Sequence, residues 1–154
     1  MLKLRDIMTK DVLTVAPDLS VREAAEIFST ERLGGAPVVQ HGRILGMLSA
    51  SDLLEFIAAL PEEPDEAHGG TAHGILEMHT VEEAMTRGPV RSLGPDDPVS
   101  LAADVMKRER LHRLPIVEQD RLVGIVSTVD LVTAIADKRI GHRTFVFPKP
   151  TTLV

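Results

Sequence analysis

The chain has 154 residues, about the length of one domain, and a formal net charge of -6, which argues against broad nucleic-acid binding because that depends on clustered cations. The absence of cysteine excludes disulfides, a thiolate zinc site and a cysteine nucleophile. With no apolar run of roughly 18 residues and no secretory signal at the first residues, we expect a cytoplasmic protein without a membrane span.

The sequence repeats itself. A shift of 78 residues aligns Pro17 to Ala58 with Pro95 to Ala136 without a gap, and 17 of the 42 positions are identical. Unrelated sequences would share about three. The two halves therefore predict one fold used twice.

Each half predicts the same elements in chain order. Apolar residues recur at i, i+3, i+4 and i+7 from Val21 to Phe28 and from Val99 to Met106, the pattern of an amphipathic helix. Two strands around a two-residue turn follow, and they predict a hairpin in each half. The strands are Ala36 to Gln40 with Arg43 to Leu48, and Leu114 to Glu118 with Arg121 to Val126. A second helix closes each half, with apolar positions at Leu53, Leu54, Ile57 and Ala58 or at Leu131, Val132, Ile135 and Ala136.

These elements divide the chain into residues 1–60 as repeat 1, an acidic and glycine-rich linker over 61–79, residues 80–138 as repeat 2, and a C-terminal extension over 139–154. The linker reads as an exposed loop up to Gly74, and Thr80 to Glu83 resembles a capping box that opens a short helix. The extension, which includes Thr144 to Phe147, is either an extra strand or a docking segment for another subunit. One repeat is too small for a secure core, so we expect the halves to pack together as one module around a pseudo-two-fold axis.

The order of landmarks resembles the CBS-domain family. In each half Met-Thr leads to Pro-Asp, an Ala-Ala helix, a strand containing Pro, and a Gly-x-x-Ser-x-x-Asp segment. The resemblance covers about residues 5–59 and 81–137. It implies an α/β (α+β) fold of two pseudo-symmetric β-α-β-β-α repeats, packed through their sheets and helices. It also implies a sensor of adenine nucleotides or related adenosyl ligands that often forms homodimers.

The Gly-x-x-Ser-x-x-Asp segments contain Ser49 and Asp52 in one half and Ser127, Thr128 and Asp130 in the other. An ionised Asp accepts hydrogen bonds only, so it can hold both hydroxyls of a ribose, with the Ser hydroxyl and the helix N-terminus near a phosphate. The same spacing is also a capping box, which needs no ligand. Both roles can coexist.

The residues before the first hairpin strand differ between the halves. His112 and Arg113 precede Leu114-Pro115, where the resemblance implies a basic residue that meets phosphate, and an arginine fork suits that contact. The first half has Gly34-Gly35 at this place, which puts one of the two sites in doubt. The alternative for Arg113 is a solvated surface residue.

An extended segment is predicted at the edge of each site, and the resemblance implies that its backbone meets the base. It contains Thr14 and Val15, with Arg91 and Ser92 taken as their counterparts, and Val38 and Ile116 are candidates to line the same pocket, with core packing as the alternative. The candidate nucleotide-binding residues are therefore Thr14, Val15, Val38, Ser49, Asp52, His112, Arg113, Pro115, Ile116, Ser127, Thr128 and Asp130.

Metal binding and catalysis have weaker support. His68, His73 and His79 lie near several carboxylates, but their spacings of five and six residues match no compact ligand motif, and solvated histidines are the alternative. No phosphate loop, dinucleotide fingerprint, nucleophile elbow or HExxH motif is present. We therefore expect no enzyme, no metal site and no required cofactor.

The leading hypothesis is a regulatory module that binds AMP, ADP or ATP in the cleft between its two halves and transmits binding by conformational or oligomeric change to an effector protein. A competing hypothesis is a constitutive interaction and oligomerisation scaffold with empty clefts. A third is a metal-responsive protein that uses the central histidines.

Overall fold

The computed structural model describes residues 1–61, 72–137 and 139, without the side chains of Ala72 and His73. In chain order the elements are a short 3-10 helix Leu4–Asp6, α1 Val21–Thr30, β1 Gly35–Gln40, β2 Arg43–Ser49, α2 Ala50–Ala58, α3 Ala72–Met78, α4 Val81–Ala84, β3 Thr86–Arg87, α5 Val99–Glu109, β4 Arg113–Glu118, β5 Arg121–Ser127 and α6 Thr128–Ala136. This mixture of helices and small sheets confirms the predicted fold class.

The described chain forms two compact units. The first unit is Leu13–Val90, and the second unit joins Met1–Val12 to Arg91–Val154. Each repeat therefore sends its approach segment, the residues around its Met-Thr pair, into the unit that contains the other repeat's hairpin.

The first unit is built on an antiparallel sheet of order β1-β2-β3. Val15 forms a parallel bridge to Val38 at one edge, and β3 pairs with β2 at the other through Met47 and Thr86. Its core is aliphatic apart from Phe28, with Val21, Ala24, Val38, Leu48 and Val81 among the residues that are almost wholly buried.

The second unit repeats this plan with β4 and β5. Leu93 forms a parallel bridge to Ile116, and Thr9 pairs with Ile125 through two backbone hydrogen bonds of 2.9 and 3.0 Å. Its core contains Leu4, Val99, Val105, Leu114, Ile116 and Val126. Met106 takes the place that Phe28 has in the first unit, so this core is built without an aromatic side chain among the described residues.

The hairpins follow the prediction closely. The turn residues His41-Gly42 and Gln119-Asp120 all have positive φ, as a two-residue turn of type I′ requires. Both hairpins also carry a bulge at the same place, after Val38 and after Ile116. The matching bulges show that the two hairpins have the same backbone plan.

One helix was not predicted. Residues 72–78 lie in the linker, yet they form α3, because Leu76 packs against the core of the first unit and Glu77 forms a 2.7 Å ion pair with Arg22 of α1. Tertiary contacts thus override a local sequence with little helical signal. The predicted extra strand or docking segment around Phe145 lies outside the described residues.

Candidate functional site

The Gly-x-x-Ser-x-x-Asp segment of the second unit forms a capping box at the start of α6. The Ser127 N–H and hydroxyl donate to Asp130 Oδ2 at 2.7 and 3.0 Å, and the Asp130 N–H donates to Ser127 Oγ at 3.2 Å. Both bonds that the carboxylate accepts end on Oδ2. Within the described part of the chain, Asp130 Oδ1 accepts no hydrogen bond, and the side chain is partly exposed. The cap therefore leaves one carboxylate oxygen free to accept a donor from outside the protein.

The first unit has the two backbone bonds of this cap without the hydroxyl donation, and it has one further contact. The Ser49 N–H donates to Asp52 Oδ2 at 2.9 Å, and the Asp52 N–H donates to Ser49 Oγ at 3.0 Å. The Thr86 hydroxyl of β3 also lies 3.5 Å from both carboxylate oxygens of Asp52. That is a long contact for a hydroxyl donor, but it places a polar group over the carboxylate. The sequence pattern does not indicate Thr86, because its proximity depends on β3 pairing with β2.

The residues at the start of β4 lie beside the cap of the second unit. The Thr128 N–H donates to the His112 backbone oxygen at 2.9 Å, and Arg113 is the register partner of Ser127 across β4 and β5. Opposite residues of an antiparallel pair project to the same face of the sheet. The structure thus brings His112, Arg113, Ser127, Thr128 and Asp130 into one neighbourhood.

The Arg113 side chain is half-buried and forms no hydrogen bond or ion pair with any residue the structure describes. Its counterpart Gly35 pairs with Ser49 in the same register, and the Ala50 N–H donates to the Gly34 backbone oxygen at 3.0 Å. The backbone of the two units is therefore equivalent here, and the difference is the side-chain cation.

The aliphatic candidates lie in the cores. Val38 and Ile116 are fully buried, Val15 is 2% exposed, and Pro115 is buried. Their backbone groups bond along the sheet, since the Val15 N–H donates to the Pro37 oxygen at 3.1 Å and the Val39 N–H to the Val15 oxygen at 3.0 Å. Thr14 is exposed beside them. Val15 and Val38 belong to the core of the first unit and Ile116 to that of the second, so these three side chains pack in the cores.

One sequence assignment is corrected by the bridges. Val15 pairs with Val38 and Leu93 pairs with Ile116, so the counterparts of Thr14 and Val15 are Ser92 and Leu93. The assignment to Arg91 and Ser92 was wrong by one residue, because that region has few identities to fix the alignment. Arg91 instead lies 3.2 Å from Glu109 in an ion pair.

Of the three central histidines, only His79 has a side chain that the structure describes. His79 Nδ1 lies 3.2 Å from Glu83 Oε1, and its ring contacts the edge of Phe56 at 5.4 Å between centroids. The Thr80 N–H and then His79 hold the pKa of Glu83 below its usual range. His68 and the His73 side chain lie outside the described residues. Among those that the structure describes, no group of three or more histidine and carboxylate side chains could hold a metal.

The model of one family, the CBS domain, matches residues 4–59 and 81–137. The chain belongs to the CBS-domain family. The CBS domain-containing protein YhcV of Bacillus subtilis (strain 168) is 34% identical over 131 residues, which cover 85% of this chain and 84% of YhcV. The chain spans between 15% and 45% of the length of the next curated relatives that it matches.

Solved CBS pairs share the fold. The CBS domain pair of MJ0100, in complex with 5′-methylthioadenosine and S-adenosyl-L-methionine, is 26% identical, with a TM-score of 0.71 over 90% of this chain and 98% of that one. CBSX2 in complex with AMP is 22% identical, with a TM-score of 0.71 over 91% and 100%. The chain is thus a CBS-pair regulatory module, of a family that is generally not catalytic. Among the described residues no helix is long and apolar enough to cross a bilayer.

Proposed function

We propose that this CBS pair senses an adenine nucleotide or a related adenosyl ligand, and that its second unit supplies the principal contacts. The observation that carries the proposal is that Asp130 Oδ1 accepts no hydrogen bond from a described residue, while Arg113, opposite Ser127 in the hairpin, has no hydrogen-bond or ion-pair partner among those residues. The carboxylate would accept hydrogen bonds from the ribose hydroxyls. The guanidinium and the first N–H groups of α6 would meet phosphate.

The first unit is proposed as the weaker site. It has Gly35 where the second unit has Arg113, and the Thr86 hydroxyl lies over Asp52. A ligand with less negative charge suits it better. The adenosyl ligands bound by the CBS pair of MJ0100 support the ligand class. Thr14 is proposed to meet the base in this unit, because the N–H and oxygen of Val15 are bonded along the sheet, and Ser92 is proposed for the same role in the other unit.

The output of binding is proposed to be a change in conformation or in a homodimer, read by a separate effector protein. A ligand can shift such an equilibrium only by its difference in affinity for the two states. No metal or cofactor is needed for this role.

The scaffold alternative is also supported by an observation. The Ser49–Asp52 and Ser127–Asp130 boxes are complete within the protein, so both segments have a structural reason to exist without a ligand. The ligand sensor and the scaffold predict different behaviour for the variants Asp130→Ala and Asp52→Ala.

The test is thermal unfolding of the purified chain with AMP, ADP, ATP, S-adenosylmethionine or 5′-methylthioadenosine. A ligand at a hundred times its dissociation constant should stabilise the native state by about 2.7 kcal/mol. Asp130→Ala and Asp52→Ala each lose the same cap, so they form a matched pair. We expect the ligand-dependent rise in melting temperature to vanish in Asp130→Ala and to persist in Asp52→Ala.

Arg113→Gly copies the first unit into the second and leaves both caps intact. This variant should weaken the binding of ligands that carry phosphate and leave the binding of 5′-methylthioadenosine little changed. Absence of any shift in the wild-type chain, with both Asp variants merely destabilised, would favour the scaffold.

A further inference from the structure

The Thr86 hydroxyl of β3 lies against the carboxylate of Asp52 in the first unit. It is 3.5 Å from Oδ1 and 3.5 Å from Oδ2, so it stands midway between the two oxygens. Thr86 is exposed, and its backbone is held by the pairing of β3 with Met47 of β2. The sheet therefore sets where this side chain starts, while the hydroxyl itself can turn away by a change of rotamer.

The second unit has a threonine at the equivalent place, but without this contact. Thr9 pairs with Ile125, the counterpart of Met47, through two backbone hydrogen bonds. The Thr9 hydroxyl bonds to no residue that the structure describes, and Oδ1 of Asp130 accepts no hydrogen bond from those residues. Since the residue type is the same in both units, the difference comes from the backbone.

The approach segment lies closer to its strand in the first unit than in the second. A Cβ at Gly46 would be 2.5 Å from the Thr86 backbone oxygen. A Cβ at Gly124 would be 3.1 Å from the Thr9 backbone oxygen. This closer approach accounts for the contact between the Thr86 hydroxyl and Asp52.

A ribose that binds an ionised carboxylate can donate from its two adjacent hydroxyls, one to each oxygen. Such a diol approaches between Oδ1 and Oδ2, which is where the Thr86 hydroxyl lies in the first unit. Two ligand hydroxyls at about 2.7 Å from the carboxylate leave no room there for a third oxygen. The Thr86 side chain must therefore turn away before Asp52 can hold a ribose.

We propose that Thr86 determines the ligand affinity of the first unit, because its hydroxyl covers the ribose-binding side of Asp52 until an adenosyl ligand displaces it. This inference rests on the proposed function. It adds a second cause of weak binding to the missing guanidinium at Gly35. It also links binding to β3, so that a ligand in the first unit acts on the approach segment of repeat 2.

A neutral nucleoside tests this inference without the charge difference between the units. Adenosine is titrated calorimetrically into the full chain carrying Asp130→Ala, so that only the first unit is measured. Adding Thr86→Ala should lower the dissociation constant on the order of fivefold, because the hydroxyl no longer competes for the carboxylate. Thr86→Ser keeps the hydroxyl and should leave the dissociation constant unchanged.

The nucleoside 2′-deoxyadenosine shows whether the ribose is the group that gains access. It lacks one of the two adjacent hydroxyls, so it should bind the Thr86→Ala chain on the order of tenfold more weakly than adenosine does. The matched control measures the second unit alone, in the chain carrying Asp52→Ala. Thr9→Ala should leave adenosine binding unchanged there, because the Thr9 hydroxyl bonds to no described residue.

The outcomes separate this inference from the proposed function. Equal or weaker adenosine binding after Thr86→Ala, or equal binding of the two nucleosides, would overturn the inference, whereas binding by the Asp52→Ala chain would leave the proposed function standing. Binding that appears only with Thr86→Ala would support the inference and contradict the proposal that the second unit supplies the principal contacts. No binding by any of these chains would overturn both.

Discussion

The two units show how one backbone plan has been given two different surfaces. Equivalent backbone bonds recur, because Glu82 N–H donates to the Pro17 oxygen and Arg5 N–H to the Pro95 oxygen, both at 2.9 Å. The side chains at these places differ in sign: Arg5 contacts Asp96, whereas Glu82 takes the equivalent position in the first unit. The backbone bonds that the fold requires are therefore shared by the two units, whereas the exposed side chains at the same positions differ.

The largest expected effect concerns two glycines of the central strands. A Cβ at Gly46 would lie 2.5 Å from the Thr86 backbone oxygen, whereas a Cβ at Gly124 would meet chiefly the Met8 side chain, with Sδ at 2.5 Å. A methionine can change rotamer and a paired backbone cannot. We expect Gly46→Ala to lower the free energy of unfolding by about 2–3 kcal/mol, and Gly124→Ala by about 1 kcal/mol.

Urea unfolding of both variants measures this difference. Met8→Ala should recover part of the loss in Gly124→Ala by removing the sulfur, though Thr9 O remains 3.1 Å from the new Cβ. If Gly46→Ala and Gly124→Ala lost the same free energy of unfolding, β3 would have to move as easily as the Met8 side chain. The approach segments around Met8 and Thr86 would then be equally easy to displace from their sheets.

Much of this architecture is predictable from local sequence. The hairpins, the amphipathic helices and the capping boxes each depend on residues within a few positions, and the structure contains them. The exchange of approach segments is different, since a pairing such as Thr86 with Met47 spans two elements and leaves no periodic signal. For the same reason the sequence gives no account of why Gly46 and Gly124 are glycine.

The candidate site shows the same division. Local spacing placed Ser127 and Asp130 in one turn, and the structure has them bonded. The register that sets Arg113 opposite Ser127 was implicit in the hairpin. The burial of Val38 and Ile116, and the approach of Thr86 to Asp52, depend on packing among distant segments.

Loss of the serine cap of α2 or α6 should destabilise the protein less than the glycine substitutions, and by the same amount in the two units. Ser49→Ala and Ser127→Ala each remove the hydroxyl that accepts the N–H at the third helical position, at 3.0 and 3.2 Å respectively. Loss of such a cap costs about 1 kcal/mol in the free energy of unfolding. We expect the two variants to agree within about 0.5 kcal/mol and the double variant to be additive, since no residue that the structure describes bonds to both caps. A markedly larger loss at Ser127 in urea unfolding would mean that its extra hydroxyl bond to Asp130 also stabilises the turn.

The smallest expected effect is on the loss of stability at low pH, and it concerns Asp96. Arg5, by its hydrogen bonds of 2.8 and 2.9 Å, and then Lys3 at 3.1 Å hold the pKa of Asp96 below its ordinary value. A carboxyl group whose pKa is lowered by folding stabilises the native state above the pKa of the unfolded chain, about 4, and loses that contribution as the pH falls through the lower native value.

Asp96→Asn should therefore flatten the fall in melting temperature as the pH drops below about 4, and 1 M salt should reduce the difference from wild type because these charges are exposed. Asp18→Asn is the matched control, because Asp18 forms no ion pair among the described residues and its unit presents Glu82 where Arg5 stands. An unchanged acid limb in Asp96→Asn would show that this exposed cluster, despite its short distances, contributes nothing to folding, as many surface ion pairs do not. The sign difference between Arg5 and Glu82 would then be free to serve recognition by a partner instead of stability.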